Sequence, residues 1–138
     1  MEQYFNAYFI INKLSVILSP YLKNQNMNRY LINNSYDNFM IITAYVSNEI
    51  NKIEENKKKN KLLKKDIKTY KYFKCYGADK IINYKHREDS FIVFNISKQY
   101  SLELCEKYKQ DCILWGEKNK FPILLDRFGN DLADIKIV

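Results

Sequence analysis

Short blocks of alternating or continuous apolar residues fill most of this chain, and only two stretches carry the three-four spacing of a substantial helix. Residues 5–11 and 14–19 are β-rich runs parted by Asn12-Lys13, which predicts a hairpin stopped by Pro20. A short helix is expected across 26–32. The tract Asn33-Asn34-Ser35-Tyr36-Asp37-Asn38 then reads as a turn. Residues 39–46 are apolar without interruption, the pattern of a central strand buried on both faces.

Ser47-Asn48-Glu49 supplies capping residues and an acidic first turn for the longest helix, about 48–70. Ile53, Leu63, Ile67 and Tyr70 fall on one stripe, and stepping back from Leu63 at the same spacing lands on Asn60 and Asn56. Two amides one turn apart are thus expected to face the core, although Asn is neither a good helix former nor cheap to bury. Lys57, Lys58, Lys61, Lys64, Lys65 and Lys68 cover the remainder, as a solvated lysine face would.

Further strands are expected over 72–76, ending at Gly77-Ala78-Asp79, over 81–84 pairing back, and over 90–96. Period-two geometry puts Glu88 and Ser90 on the side of Ile92 and Phe94. Ser97 caps a second helix, about 97–109, with the stripe Ser101, Leu104, Cys105 and Tyr108. A strand at 112–115 stops at Gly116, and 121–128 and 132–138 read as terminal strands around Gly129-Asn130. The sum is an α+β fold: one domain over 1–138, with a mixed β-sheet, two main helices and a short third.

Charge sharpens this picture. The formal net charge is +7, and residues 49–88 carry all of it, with 13 Lys and Arg against 6 Asp and Glu. One middle segment can therefore present a positive field to phosphate or to an acidic protein surface. Cys75, Cys105 and Cys112 make no C-x-x-C pair, and an odd number argues for free thiols in a reducing compartment. With His86 the only histidine, no metal site is expected. Gly77, Gly116 and Gly129 are isolated, so no phosphate loop exists and no cofactor is expected. Nothing approaches the ~20 apolar residues of a membrane span. A cytoplasmic protein without a membrane partner is the expectation.

Two polar signals open apolar runs: His86-Arg87-Glu88-Asp89-Ser90-Phe91 and Tyr108-Lys109-Gln110-Asp111-Cys112-Ile113. Together with Thr43-Ala44 at a strand end and Glu55-Asn56 in the opening of a helix, their order resembles a small bacterial and phage family catalogued only as a domain of unknown function. The resemblance spans about 6–115 and implies no assigned reaction. This chain departs from the family pattern at Tyr45-Val46, where a polar residue and Pro are usual. Lys59 stands in place of Arg, and His86 in place of Trp. Lys keeps the charge of Arg but loses its bidentate fork.

Glu88, Ser90, Asn56, Lys59 and Gln110 are expected to converge at one end of the sheet. They form a set suited to hydrogen-bonding a nucleotide or similar polar ligand, or else a satisfied network fixing the long helix to the sheet. Separately, Tyr70-Lys71-Tyr72-Phe73-Lys74-Cys75-Tyr76 interleaves rings with cations, as proteins that hold single-stranded nucleic acid do. Tyr70, Tyr72, Lys74 and Tyr76 would share a face. Lys64, Lys68, Lys71, Lys85 and Arg87 complete a candidate nucleic-acid surface within 51–87.

The reading that follows is a non-enzymatic binding protein engaging nucleic acid or a phosphorylated ligand. One alternative is a small phage-type inhibitor or adaptor that blocks a host defence protein by direct contact. The other is a hydrolase or transferase using Glu88 and Ser90, although Ser90 lacks an evident base.

Overall fold

The computed structural model describes residues 7–46, 50–79 and 87–137. The strand expected over 81–84 and the capping residues Ser47-Asn48-Glu49 lie outside them. Among the described residues the chain forms seven strands: β1 (Ala7–Ile11), β2 (Val16–Leu18), β3 (Asn38–Thr43), β4 (Tyr72–Asp79), β5 (Glu88–Phe94), β6 (Cys112–Glu117) and β7 (Ile123–Asp126). The helices are α1 (Gln25–Asn33), α2 (Ile53–Ile67), α3 (Lys98–Lys107) and α4 (Leu132–Ile137), with 3-10 turns at Asn12–Leu14 and Ile50–Lys52.

All seven strands join one sheet in the order β2-β1-β4-β5-β3-β6-β7. The α+β class holds, but every pairing is antiparallel, so the sheet is not mixed. β3 lies between β5 and β6, and its apolar run is buried on both faces, as its composition requires. Two hydrophobic clusters result. Met40, Ile42, Phe91, Val93, Ile113 and Trp115 face α2 and α3, whereas Phe39, Ile41, Cys75, Ile92, Phe94 and Leu114 face α1 and α4. We call these the first and second faces.

Local chemistry sets the helix ends. The Asn24 side chain accepts from the Met27 amide at 2.8 Å to start α1, and Ser97 Oγ accepts from the Tyr100 amide at 3.1 Å to start α3. α3 ends with the Gln110 amide donating to Cys105 and the Lys109 amide to Glu106, with Lys109 left-handed at φ 52°. α2 and α3 are tied through Asp66, whose carboxylate accepts from Tyr108 Oη at 2.5 Å and Lys107 Nζ at 2.9 Å. Burial alone would raise the Asp66 pKa, but those two donors outweigh it and hold the carboxyl below its ordinary value.

Further expectations change, beginning with β4, which runs on through Gly77-Ala78 to Asp79 instead of ending there. Ile53 is 48% exposed rather than in the core. It is the first residue of α2, about 80° round from Leu63 at 3.6 residues per turn and just beyond the edge of the inward stripe at Asn60. Residues 132–138 were expected as a strand, yet Leu132–Ile137 is helical; the Asp131 carboxylate accepts from the Ala133 amide at 3.0 Å and caps it. Gly116 does not stop β6, because the Phe39 ring opposite covers it and the strand runs on to Glu117.

The sheet curls until its two edge strands are joined by one residue. Tyr21, three positions past β2, donates its amide to Pro122 at 2.7 Å beside β7. Its hydroxyl donates to Asp131 Oδ1 at 2.5 Å and accepts from the amides of Leu124 and Ala133 at 3.3 and 3.1 Å. Tyr21 adopts φ 65°, a conformation costly for a bulky side chain, and these bonds hold it there. Tyr21→Phe is expected to lower stability by about 1.5 kcal/mol, since it takes the hydroxyl from the Leu124 amide and from Asp131 and leaves Ala133 with its Asp131 bond alone. Burial first, then the bond to Asp131, pushes the Tyr21 pKa up to about 12. The folded state thus holds this proton more tightly than the unfolded chain does. Its contribution is complete below pH ~10 and drains away toward pH 12. Urea melts of both proteins from pH 8 to 12 check this: the gap between them should close as pH rises, and a constant gap would contradict the assignment.

Candidate binding surfaces

The polar set expected to converge does occupy one end of the sheet, but on two faces. β3 and β5 pair with Thr43 opposite Ser90, so the end of β3 and the start of β5 lie together. Beyond Thr43 the chain continues as Ala44, Tyr45 and Val46, and three amides bracket it on the first face. Asn60 Oδ1 accepts from the Ala44 amide at 3.0 Å, and Asn56 Oδ1 accepts from the Val46 amide at 2.7 Å. Gln110 Nε2 donates to the Tyr45 carbonyl at 3.0 Å and to the Tyr108 carbonyl at 3.1 Å. Asn60 Nδ2 also reaches the Asp89 carbonyl at 3.2 Å. The two inward amides of α2 therefore serve backbone groups that have no strand to pair with. The left-handed Lys109 aims Gln110 back over α3 toward the same segment.

Ser90 belongs to the second face, beside Cys75 and Thr43 in register. It is buried, and its hydroxyl donates to the Glu88 carbonyl at 3.1 Å. Glu88 is half-buried and alternates onto the same face as Ser90. Lys59 is exposed on α2. Asn56 and Gln110 thus come together while Ser90 is separated from them by the sheet, so the five residues do not form a single pocket. Tyr45 sits between: its hydroxyl bonds the Asp89 carboxylate, and burial first, then Asp89, raises its pKa. Sequence alternation did not single out Asn60 or Tyr45 as members, although Asn60 stood on the inward stripe.

The thiols are not poised to react. Cys75, Cys105 and Cys112 are all free, and burial pushes Cys105 up to about 11 and Cys112 to about 12. Among the described residues no group of three His, Cys, Asp or Glu could hold a metal ion, and no helix is long and apolar enough to cross a membrane. One cleft, between α1 and the β6–β7 connection, is lined by Leu18, Asn28, Leu31, Phe39, Glu117 and Lys120. It has room for little more than a water molecule.

The basic segment is organised differently. Residues paired across strands share a face, so Tyr72, Lys74 and Tyr76 lie on the first face with Val93, Phe91 and Asp89. The shared face expected for Tyr72, Lys74 and Tyr76 is present. Tyr70 instead stacks on Tyr100 at 6.2 Å, toward α3, and Lys71 turns to the second face, 4.9 Å over the Phe73 ring. Arg87 lies 5.6 Å over the Tyr76 ring. Lys85 and His86 are outside the described residues.

The position of α2 follows from its contacts. Leu63 and Ile67 point into the core, and Asp66 points sideways to α3, which packs on β6. At about 100° per residue, Lys57, Lys64 and Lys68 occupy the opposite flank, directed toward β4. All three are exposed. Lys57 is paired with Glu54 at 3.6 Å, which offsets its charge and leaves Lys64 and Lys68 to make this flank cationic. The lysine flank of α2 and the first-face positions Tyr72, Lys74 and Tyr76 of β4 thus border one stretch of surface, hereafter the trough, with α2 as its wall and β4 as its floor. Beside Tyr76 the floor continues through Ile10 and Ile17, in register on β1 and β2. The spacing of Lys57, Lys64 and Lys68 was visible in the sequence, but their common flank acquires meaning only once α3 is placed.

Residues 46–113 match the family model described as a protein of unknown function (DUF3293). The match covers α2, β4, β5 and α3, and with them Glu55-Asn56, Glu88-Asp89-Ser90-Phe91 and Gln110-Asp111-Cys112-Ile113. It supports an uncharacterised domain family over the central part of the resemblance. Thr43-Ala44 lies just before it. No curated protein and no solved structure matches the chain.

Proposed function

We propose that this protein is a binding module that holds a nucleic acid by its phosphates along the trough between α2 and β4. The observation that carries this reading is the arrangement of cations. Lys64 and Lys68 on α2 and Lys74 and Arg87 beside them on the sheet border one trough, whereas Asp66 is turned away and occupied by Lys107 and Tyr108. Residues 49–88, which supply this trough, hold the whole net charge of the chain. Cations gathered on one side attract a polyanion far more strongly than the same charges scattered. The amides Asn56 and Gln110 support the trough indirectly, by fixing α2 and α3 to the end of β3.

Fluorescence anisotropy with a labelled DNA 30-mer at rising salt tests the reading. Four phosphate contacts should make log K fall against log salt with a slope of roughly −3. Lys64→Glu with Lys74→Glu should weaken binding by at least about tenfold and halve that slope. Binding that ignores both salt and these substitutions would overturn the proposal.

A further inference from the structure

We infer that the trough takes a single strand and stacks its bases on the sheet floor. This rests on the nucleic-acid reading above and deepens it by naming the form of the ligand.

The wall and the floor of the trough differ in chemistry. Lys64 and Lys68 make the α2 wall cationic. Across the sheet the register Ile17–Ile10–Tyr76 lays two aliphatic side chains beside a ring, and Ile17 is 57% exposed. A duplex presents phosphates on its outside, so docking one here would press charged backbone onto Ile10, Ile17 and the tyrosines. Those groups would lose water and gain no partner of their own kind. A single strand can divide its two chemistries as the trough does, with phosphates toward the lysines and base faces toward the rings and isoleucines.

The rings are prepared for this. Tyr72 and Tyr76 are both half-buried, and Tyr72 is fixed edge-on against Phe91, with centroids 5.8 Å apart at 85°. Arg87 over Tyr76 offers a planar cation that stacks with bases as well as pairing with phosphate. Lys74 projects between the two rings from the same strand face and is exposed. Two residues along a strand span about 6.7 Å, so Tyr72 and Tyr76 stand about 13 Å apart along β4. At its α2 side the row meets Asp89, whose carboxylate is engaged by the Tyr45 hydroxyl. That anion bounds the path, turning phosphates toward Lys64 and Lys68 and away from β5.

The test compares three probes of similar phosphate number on the intact protein: labelled oligothymidylate, a hairpin duplex and inorganic polyphosphate. Oligothymidylate should bind at least about tenfold more tightly than either of the others. Tyr76→Ala should cost about tenfold for oligothymidylate and leave polyphosphate affinity unchanged, while Tyr76→Phe, which keeps the ring, should retain wild-type binding. Circular dichroism melts of both variants establish that the fold persists. Equal affinity for all three probes, or tighter binding of the duplex, overturns the single-strand inference and leaves the basic trough standing. No salt-sensitive binding of any probe removes both.

Discussion

Gly116→Ala is expected to destabilise the protein by about 3 kcal/mol, near the upper end for a small overpacking change. Gly116 faces Phe39 across the β3–β6 pair. A Cβ added there would lie 2.1 Å from Phe39 Cε1 and 2.2 Å from Cζ, well inside contact distance. The ring cannot simply swing aside. Phe39 is 3% exposed and packed in the second-face cluster with Met27, Leu31 and Leu124, so moving it displaces the seating of α1. The gain from restricting the unfolded chain is only about 0.4–1 kcal/mol and acts in the other direction. The melting temperature should fall by about 10 °C for a chain of this size. Pairing the change with Phe39→Leu should restore part of the loss. A melting temperature within a degree or two of wild type would show that the ring is not held against Gly116.

The second large effect separates a structural network from a ligand site. Asn56→Ala removes the acceptor of the part-buried Val46 amide, and Asn60→Ala removes the acceptor of the buried Ala44 amide along with a donor to the Asp89 carbonyl. Asn60→Ala is expected to cost about 2 kcal/mol with no ligand present, because the buried Ala44 amide is left without a partner, and Asn56→Ala about 1 kcal/mol, because the Val46 amide lies nearer water. Together they should cost about 3 kcal/mol, less whatever coupling the shared segment introduces. Affinity for nucleic acid, measured at a temperature where the variants remain folded, should change less than threefold. Chemical denaturation and anisotropy on the same samples decide the matter. Variants as stable as wild type but unable to bind would return Asn56 to a ligand site and add Asn60 to it.

Much of this was readable from the chain, for identifiable reasons. The Ser97 cap, the stripe Ser101-Leu104-Cys105-Tyr108, the buried run of β3 and the inward turn of Asn56 and Asn60 are local periodicities, and local periodicity survives folding. What failed was any step needing a second element. Period two correctly placed Ser90 with Ile92 and Phe94, but no property of β5 alone says that α2 covers the opposite side. The five-residue site was therefore drawn through the sheet. The segment Leu-Ala-Asp-Ile-Lys-Ile at 132–137 reads equally as strand or helix, and the Asp131 cap that decides it is held by a tyrosine 110 residues away. Lys71 and Tyr70 sit in the Lys-Tyr tract yet leave the trough, because strand alternation turns one over and the turn after α2 carries the other to Tyr100.

Tyr21 also imposes an order of events. As the chain is synthesised, β2 and Tyr21 emerge early, but Pro122, Leu124 and Asp131 follow only about a hundred residues later. Until then the left-handed tyrosine lacks its bonds to Pro122, Leu124, Asp131 and Ala133. Contacts of such sequence separation are slow to close, so the joining of the two sheet edges is a late step. Loss of a late contact accelerates unfolding and leaves the folding rate almost untouched. Tyr21 thus acts as a latch on the finished molecule: it sets how long the folded state lasts rather than how quickly it is reached.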